Sequence, residues 1–365
     1  MRWPALLISI GWLAIFLLNP LFVLELRAEE KLKESPPLPE KQSYLPETTL
    51  LRQNSSAHFH LILGRLRLDP VRYRKGSFSV THPEPSSQEP GQSLDASTVE
   101  TMTVTSARGK PSVRYTLIRR DATLSIDADS LGNVHLHAER QIDGYGRRRV
   151  SIEQLEGKLL TMRCTLITNQ SSPGESYTVQ GRTWLHLREA DRQVFVNDVD
   201  PVLDDLLQPY RFEELADQAH AQSLQQSMGA NNQESVVEEA QIKAWIDDLR
   251  SPSRIRRIDA EKKLTAVGIS LLPRLANLDS SSWDAEQRLR LQEIQTKLTP
   301  MAEDDGMRLA VLIRDDRDYW RLASSRLDDR ERAYVADRFL RLGAPSPITQ
   351  MESSRIATRP QARDR

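Results

Sequence analysis

Two pairs of histidines have the spacing of metal ligands. His58 and His60 are separated by one residue, as are His135 and His137. Because residues i and i+2 of a β-strand lie on the same side of a sheet, each pair could offer two imidazoles to one metal ion. A zinc site needs three or four converging ligands, and the sequence does not show which strands meet. These four residues are metal candidates; the alternative is that they lie on the solvated face of a sheet, and we expect no cofactor.

Other familiar arrangements of catalytic residues are missing from the sequence. Cys164 is the only cysteine, which excludes an intrachain disulfide and a cysteine-rich metal site, and we predict that it is buried. The acidic cluster from Asp198 to Asp205 lacks the glycine and the spacing of a calcium loop. No phosphate-binding glycine loop, Gly-x-Ser-x-Gly or His-Glu-x-x-His motif occurs. We therefore expect a protein that is not an enzyme.

The first 28 residues predict export or membrane anchoring. Arg2 precedes a nearly unbroken apolar run from Ala5 to Leu24, and charge returns at Glu25. A helix needs about twenty apolar residues to cross a bilayer core. Because one arginine precedes the run, we expect the N-terminus inside and the rest of the chain in the periplasm or at the cell surface. A retained anchor, a signal peptide cleaved after Ala28 and a buried helix of the folded protein all remain open.

Charge and length narrow the class of partner. The chain has 365 residues, with 50 Lys and Arg against 51 Asp and Glu, so its formal net charge is −1. This balance argues against nucleic-acid binding through bulk electrostatics. We expect contact with the membrane through the N-terminal segment, and another envelope protein as the partner.

Composition divides the remaining chain into segments and predicts an α+β fold. Short runs of alternating polar and apolar residues, with turn residues between them, predict an antiparallel sheet closed as a sandwich, a curved sheet or a barrel. The last two predicted strands are Tyr177–Leu187 and Gln193–Val196. The predicted segments are a Pro-rich disordered tether (29–56), a β-rich domain (57–197), a helical transition and linker (198–233), a helical domain (234–343) and a disordered tail (344–365).

A helical hairpin is predicted within the helical domain. Ser253 can cap a first helix, and Gly268 can end that helix in the left-handed conformation. Pro273 is tolerated in the first turn of a second helix. A hairpin of about 25 residues is close to the size of one helical-repeat unit.

This hairpin resembles a HEAT-type repeat, over residues 253–275 only. The matching residues are Ile255-Arg256, Ala260, Leu264, Gly268 and Pro273-Arg274-Leu275. We expect Ile255, Ala260 and Leu264 to form one apolar stripe. The resemblance implies a scaffold or a protein-binding surface, not catalysis, and it transfers no site residue. The alternative is an unrelated helical bundle.

Large aromatic residues recur through the helical domain, at Trp245, Trp283, Trp320 and Tyr334. They either fill the core between helices or act as exposed anchors for a partner. We therefore expect a non-enzymatic, membrane-anchored extracytoplasmic protein with a β-rich module and a helical protein-interaction module. The alternatives are a lipid- or glycan-binding β domain and a metal-dependent hydrolase built on the histidine pairs.

Overall fold

A computed structural model describes most of the chain beyond the predicted leader. The described residues are 49–53, 57–69, 76–83, 97–107, 109–142, 146–167, 176–228, 236–299 and 302–348. All of them belong to one compact unit, residues 43–365. The leader, most of the predicted tether and the chain from residue 349 onward lie outside the described residues. Within the described residues, no helix combines the length and the apolar character that a membrane span requires.

The β-rich segment forms a hairpin and one large sheet, and with the helices that follow it gives the predicted α+β fold. The strands are β1 (His58–Ile62), β2 (Arg65–Asp69), β3 (Gly76–Pro83), β4 (Ser97–Ala107), β5 (Lys110–Ile118), β6 (Ala122–Asp129), β7 (Val134–Ile142), β8 (Gly146–Gln154), β9 (Leu160–Ile167) and β10 (Ser176–Gly181). β1 pairs with β2, and β3 to β10 form an antiparallel sheet in chain order. β3 and β10 lie at opposite ends of that order, so the described strands form an open meander.

Side chains alternate between an apolar and a solvated face of the sheet. In β6, Leu124 and Ile126 are buried, whereas Thr123 of the same strand is exposed. Cys164 on β9 is buried, as predicted. Because successive side chains of a strand point to opposite faces, this pattern gives one side a hydrophobic core and leaves the other in water.

Twelve α-helices in the described residues cover the apolar face or extend from it. They are α1 (Leu50–Gln53), α2 (Trp184–Ala190), α3 (Arg192–Asp198), α4 (Asp200–Leu206), α5 (Phe212–Met228), α6 (Glu239–Asp248), α7 (Arg254–Ala266), α8 (Leu271–Asn277), α9 (Ala285–Leu298), α10 (Gly306–Arg314), α11 (Arg317–Ala323) and α12 (Asp329–Arg341). The sheet, the β1–β2 hairpin, α1 to α5 and α10 to α12 share one hydrophobic core. Helices α6 to α9 enclose a second, smaller core.

The last two predicted strands are wrong for most of their length. Tyr177–Leu187 contains β10 only as far as Gly181 and then enters α2, and Gln193–Val196 lies within α3. Five consecutive residues of α2 are buried, including polar ones. A helix buried on all sides has no polar face, so its sequence lacks the period of 3.6 residues by which an amphipathic helix is detected.

The predicted disordered tether (29–56) is wrong near its C-terminal end, where a short helix is packed against the sheet. Residues 49–53 contain α1, whose Leu50 and Leu51 are buried in the main core. The backbone N–H of Leu50 donates to the buried carboxylate of Glu100, at 2.6 Å. Apolar burial and this charge-assisted hydrogen bond hold the segment against the sheet.

The predicted helical hairpin is formed by α7 and α8. Gly268 has a φ of +76° and follows α7, and Pro273 lies in the first turn of α8. The predicted stripe is wrong at Ile255, which is 80% exposed, whereas Ala260 and Leu264 are buried. A helix turns by about 100° per residue, so Ile255 lies about 140° away from Ala260 and faces solvent.

Candidate anion-binding site

A pocket of about 530 Å³ lies at the junction of the two cores, and we refer to it as the junction pocket. Its volume is in the range of small-ligand sites. It is lined by Val236, Val237, Trp245, Lys263, Ala266, Val267, Ser270, Arg274, Arg314, Asp315, Arg338 and Leu342. These residues come from α6, α7, α8, α10 and α12 and from the segments that flank them, so the pocket depends on the packing of both helical groups.

The two groups of helices are joined directly beside this pocket. The backbone N–H of Glu239, at the start of α6, donates to the carbonyl of Leu342 just after α12, at 2.8 Å. On the opposite wall, Gly268 ends α7 with positive φ and lets the chain turn into α8, which carries Arg274. The two walls are therefore positioned by the end of α7 at Gly268 and by the hydrogen bond between Glu239 and Leu342.

Positive charge dominates the lining. Four cationic side chains and one carboxylate, Asp315, line the pocket. Asp315 already binds Arg338, whose Nε lies 2.9 Å from Oδ1 and whose Nη2 lies 3.2 Å from Oδ2. Arg314 Nε lies 3.5 Å from the same Oδ1. The carboxylate is therefore occupied by two arginines. Lys263 is paired with Asp259 at 2.6 Å, which leaves Arg274 as the remaining cation of the lining.

Arg274 is a buried cation with one donor atom, Nη2, that lacks an acceptor among the described residues. Its exposure is 7%, and no described residue offers an acceptor to its Nη2 atom. Burial lowers the pKa of the Arg274 guanidinium, and the charges of Asp315 and Glu239 oppose this effect only in part. A buried donor without an acceptor is costly, and most so when it is charged. An anion in the pocket would supply the missing acceptor.

Apolar side chains form the rest of the lining. Trp245 is half-buried there, beside Val237, Val267 and Leu342. Of the four aromatic candidates, Trp245 is therefore the one that shares a pocket with the cations. An arginine beside an apolar wall fits a ligand that carries both a negative group and an apolar group.

The other aromatic candidates have separate environments. Trp283 packs against the smaller core and lines a different depression. Trp320 is completely buried, and its indole N–H donates to the carbonyl of Arg314 at 3.1 Å. Tyr334 is partly exposed and accepts a hydrogen bond from Arg330. The structure does not bring these three together with Trp245 in one site.

The two histidine pairs also differ in their surroundings. His135 and His137 lie on the solvated face of β7, where His137 Nδ1 is 2.9 Å from the hydroxyl of Ser151. His58 and His60 lie on β1 with Asp69 beside them on β2. Asp69 has no signal in the sequence, because strand register decides which carboxylate faces a histidine.

A hydroxyl, an imidazole and a carboxylate form a chain that looks like a catalytic triad. Thr183 Oγ1 is 2.9 Å from His186 Nδ1, and His186 Nε2 is 3.2 Å from Asp316 Oδ2. The three residues are only 5%, 1% and 2% exposed, respectively. A substrate carbonyl cannot reach the hydroxyl through that packing, so these residues tie α2 to α11 and do not form an open active site.

The acidic cluster is neutralised by arginines. Asp198 lies 3.1 Å from Arg140 and 2.5 Å from Arg148, and Asp200 lies 3.3 Å from Arg188. Carboxylates that already pair with arginines are poorly placed to collect a calcium ion. The ion pairs of Asp198 join the sheet to α3, and the pair of Asp200 with Arg188 joins α4 to α2.

Comparison of the chain with protein-family models, with curated proteins and with solved structures found no match.

Proposed function

We propose that this chain is a non-enzymatic binding protein of the cell envelope whose helical region receives an acidic segment of a partner protein in the junction pocket. The observation that carries the proposal is Arg274, a buried guanidinium with an Nη2 atom that no described residue accepts from. The predicted N-terminal segment would hold the protein at the membrane.

The chemistry of the lining supports a carboxylate with an apolar neighbour. Arginine binds carboxylates through two parallel N–H donors, which gives both strength and orientation. Trp245 and Val237 provide an apolar wall within the same pocket. A peptide segment with an acidic residue or a terminal carboxylate next to an apolar side chain combines both groups.

Site-specific photocrosslinking from the pocket in living cells tests this proposal. Val237, half-buried in the lining, is replaced by p-benzoylphenylalanine in the full-length chain. We expect one discrete crosslinked envelope protein, which disappears when Arg274→Met is added. Arg256→Met is the matched control, because Arg256 is exposed on α7 and lies outside the lining.

The comparison between the two arginine variants decides the outcome. A crosslink that is lost with Arg274→Met and kept with Arg256→Met, at equal protein abundance, supports the proposal. A crosslink pattern that is the same in both variants, or no crosslink from Val237, contradicts it.

A second candidate function concerns the polar face of the sheet. An open groove of about 560 Å³ crosses β4 to β7 and is lined by hydroxyl, amide and charged groups, among them Thr105, Ser112 and Asn133. Arg114 and Asp127 pair across two of these strands at 2.6 Å. Such a lining favours a glycan over a lipid. A rise in Tm with an oligosaccharide that Arg114→Ala abolishes would support it, and an unchanged Tm across a panel of oligosaccharides would contradict it.

A further inference from the structure

The β1–β2 hairpin brings three metal-ligand side chains together. His58 lies directly opposite Asp69 in the antiparallel register, and His60 is two residues along β1 on the same face. One donor atom from each of the three residues lies within 4.8 Å of the other two. Among the residues that the structure describes, this group is the one with donors in such proximity.

The distances are compatible with closure on one ion. Zinc binds imidazole nitrogen and carboxylate oxygen at about 2.0–2.2 Å, so donor atoms around a tetrahedral ion are about 3.3–3.6 Å apart. Closing the observed group to that geometry requires donor atoms to move by up to about 1.5 Å. His58 and Asp69 are exposed, so rotation of their side chains is sterically unhindered by a core.

The hairpin itself is firmly held. Its inner face contributes Phe59, Leu61, Leu66 and Leu68 to the main core. The turn after β1 is bound by Asp304, whose backbone N–H donates to the carbonyl of Leu61 at 2.8 Å. The carboxylate of Asp304 in turn accepts from the backbone N–H of Gly64 at 2.7 Å. A rigid backbone keeps the two imidazoles in register and lowers the entropy cost of collecting them around an ion.

The local charges also suit a cation. The negative charges of Asp69 and Glu303 both favour a positive charge at His60. Glu303 directly precedes Asp304, whose backbone is hydrogen-bonded to the hairpin. The nearby cation, Arg67, is drawn to Glu156, whose Oε2 lies 2.7 Å from Nη1.

We infer that His58, His60 and Asp69 bind one divalent transition-metal ion, with zinc as the leading candidate. Two imidazoles and one carboxylate suit zinc, nickel, copper or cobalt better than calcium or magnesium, which prefer all-oxygen sites. The site lies on the outer face of the hairpin. It is independent of the junction pocket and of the function proposed for that pocket.

The second histidine pair provides a matched control. His135 and His137 have the same spacing on an exposed strand face, but His137 is engaged by Ser151 and the nearest ion-pair distance at His135 is 3.9 Å, to Glu153. A double substitution there removes the same number of imidazoles from a sheet surface. It therefore corrects for weak, nonspecific binding of metal by surface histidines.

Metal titration of the full-length chain tests the inference. The protein is purified without a histidine tag, stripped with EDTA and titrated with zinc chloride by calorimetry, with the bound zinc counted by elemental analysis after dialysis. We expect one equivalent of zinc, a loss of affinity of at least 100-fold in His58→Ala/His60→Ala, and no more than a two-fold change in His135→Ala/His137→Ala. Asp69→Asn should weaken binding by at least ten-fold.

A spectroscopic measurement on the unaltered protein guards against a variant that fails to fold. Cobalt added to the stripped wild-type chain should give the visible absorption of a four- or five-coordinate ion, and zinc should displace it. Absence of stoichiometric zinc binding by the wild-type chain overturns the inference. So does equal zinc affinity of a folded His58→Ala/His60→Ala variant and the wild type.

Discussion

The carboxylate of Asp315 is bound by the guanidinium of Arg338, with Nε 2.9 Å from Oδ1 and Nη2 3.2 Å from Oδ2. Both side chains are buried. Arg274 lines the same pocket, but no described residue accepts from its Nη2 atom. One arginine of the pocket is thus bound through two nitrogen atoms, and another keeps an Nη2 atom without an acceptor among the described residues.

This asymmetry predicts opposite effects of two arginine substitutions on stability. Arg338→Met leaves Asp315 buried with less compensation, so the free energy of unfolding should fall by about 3 kcal/mol. Arg274→Met removes a buried charge that lacks an acceptor, so the free energy of unfolding should stay the same or rise by up to about 2 kcal/mol. Urea denaturation without added anions measures both. A large loss of stability in Arg274→Met would mean that the fold itself satisfies this side chain.

The turn of the β1–β2 hairpin predicts a position-specific cost for a methyl group. Gly64 has a φ of +68°, and a Cβ there would lie 2.8 Å from Cβ of Thr183. Gly157 has a φ of +70°, and a Cβ there would meet no neighbouring side chain or backbone within 4 Å. Left-handed strain costs about 1–2 kcal/mol at either site, and the steric conflict adds about 1–3 kcal/mol at Gly64.

We therefore expect Gly64→Ala to lose about 3 kcal/mol of unfolding free energy and Gly157→Ala to lose about 1 kcal/mol. Chemical denaturation of the two variants beside the wild type gives the comparison. Equal losses in both would show that the hairpin turn does not pack closely against the start of α2.

His220 predicts a dependence of stability on pH. Burial, reinforced by Arg326 and Arg192, lowers the pKa of His220 from 6.5 to about 4. The folded state holds the imidazole neutral, whereas the unfolded state takes up a proton near pH 6.5, so the contribution of His220 to stability falls as the pH drops from about 6.5 to about 4. Because each pKa unit corresponds to about 1.4 kcal/mol, the loss at pH 5 is about 2 kcal/mol.

The unfolding free energy of the wild type has to be compared with that of a His220 variant, because other buried groups change stability with pH in the opposite direction. Burial raises the pKa of Asp200 to about 7 and that of Asp304 to about 6, so both favour the folded state increasingly as the pH falls. His220→Asn keeps a polar group near the hydroxyl of Tyr319, which lies 2.9 Å from Nδ1. The stability gap between wild type and His220→Asn should shrink by about 2 kcal/mol from pH 7.5 to pH 5. A constant gap would contradict the lowered pKa.

Much of the fold was predictable because its signals are local. Strand β6 alternates throughout and β7 alternates from Val134 to Ala138, and Gly268 and Pro273 mark the turn between α7 and α8. Asp316 and Asp328 begin α11 and α12 and accept hydrogen bonds from the first turn, as residues at helix N-termini commonly do. Each of these features is decided within a few residues of the chain.

The predictions were wrong where contacts with residues distant in the sequence determine the secondary structure. α2 has no polar face, because residues such as His186 and Arg188 are buried and paired with Asp316 and Asp200. Those carboxylates lie far away in the chain or in another helix, and periodicity cannot show that a charged residue will be satisfied inside a core. The prediction for Ile255 was wrong in its helical phase. The angle of about 140° between Ile255 and Ala260 follows from their spacing in the sequence alone.

The candidate sites were predictable only in part. Trp245, His58 and His60 were identified by residue type and spacing, whereas Arg274 and Asp69 were not. Arg274 occupies the variable position between Pro273 and Leu275 of the hairpin pattern, and nothing local to it indicates burial without an acceptor. Such a site is created by the packing of α8 against α10, with Arg338 of α12 in the same lining.

The most direct test of the central claim is the affinity of the full-length chain for a short acidic peptide, measured by calorimetry. The probe is acetyl-Glu-Glu-Leu with a free terminal carboxylate, and its Gln-Gln-Leu amide is the neutral control. A charge-assisted hydrogen bond contributes about 1.5–3 kcal/mol, so Arg274→Met should weaken binding by at least ten-fold, while Arg256→Met should leave it unchanged. Equal affinity for the wild type and Arg274→Met, or equal affinity for the acidic and neutral peptides, would contradict the assignment of the junction pocket as the binding site.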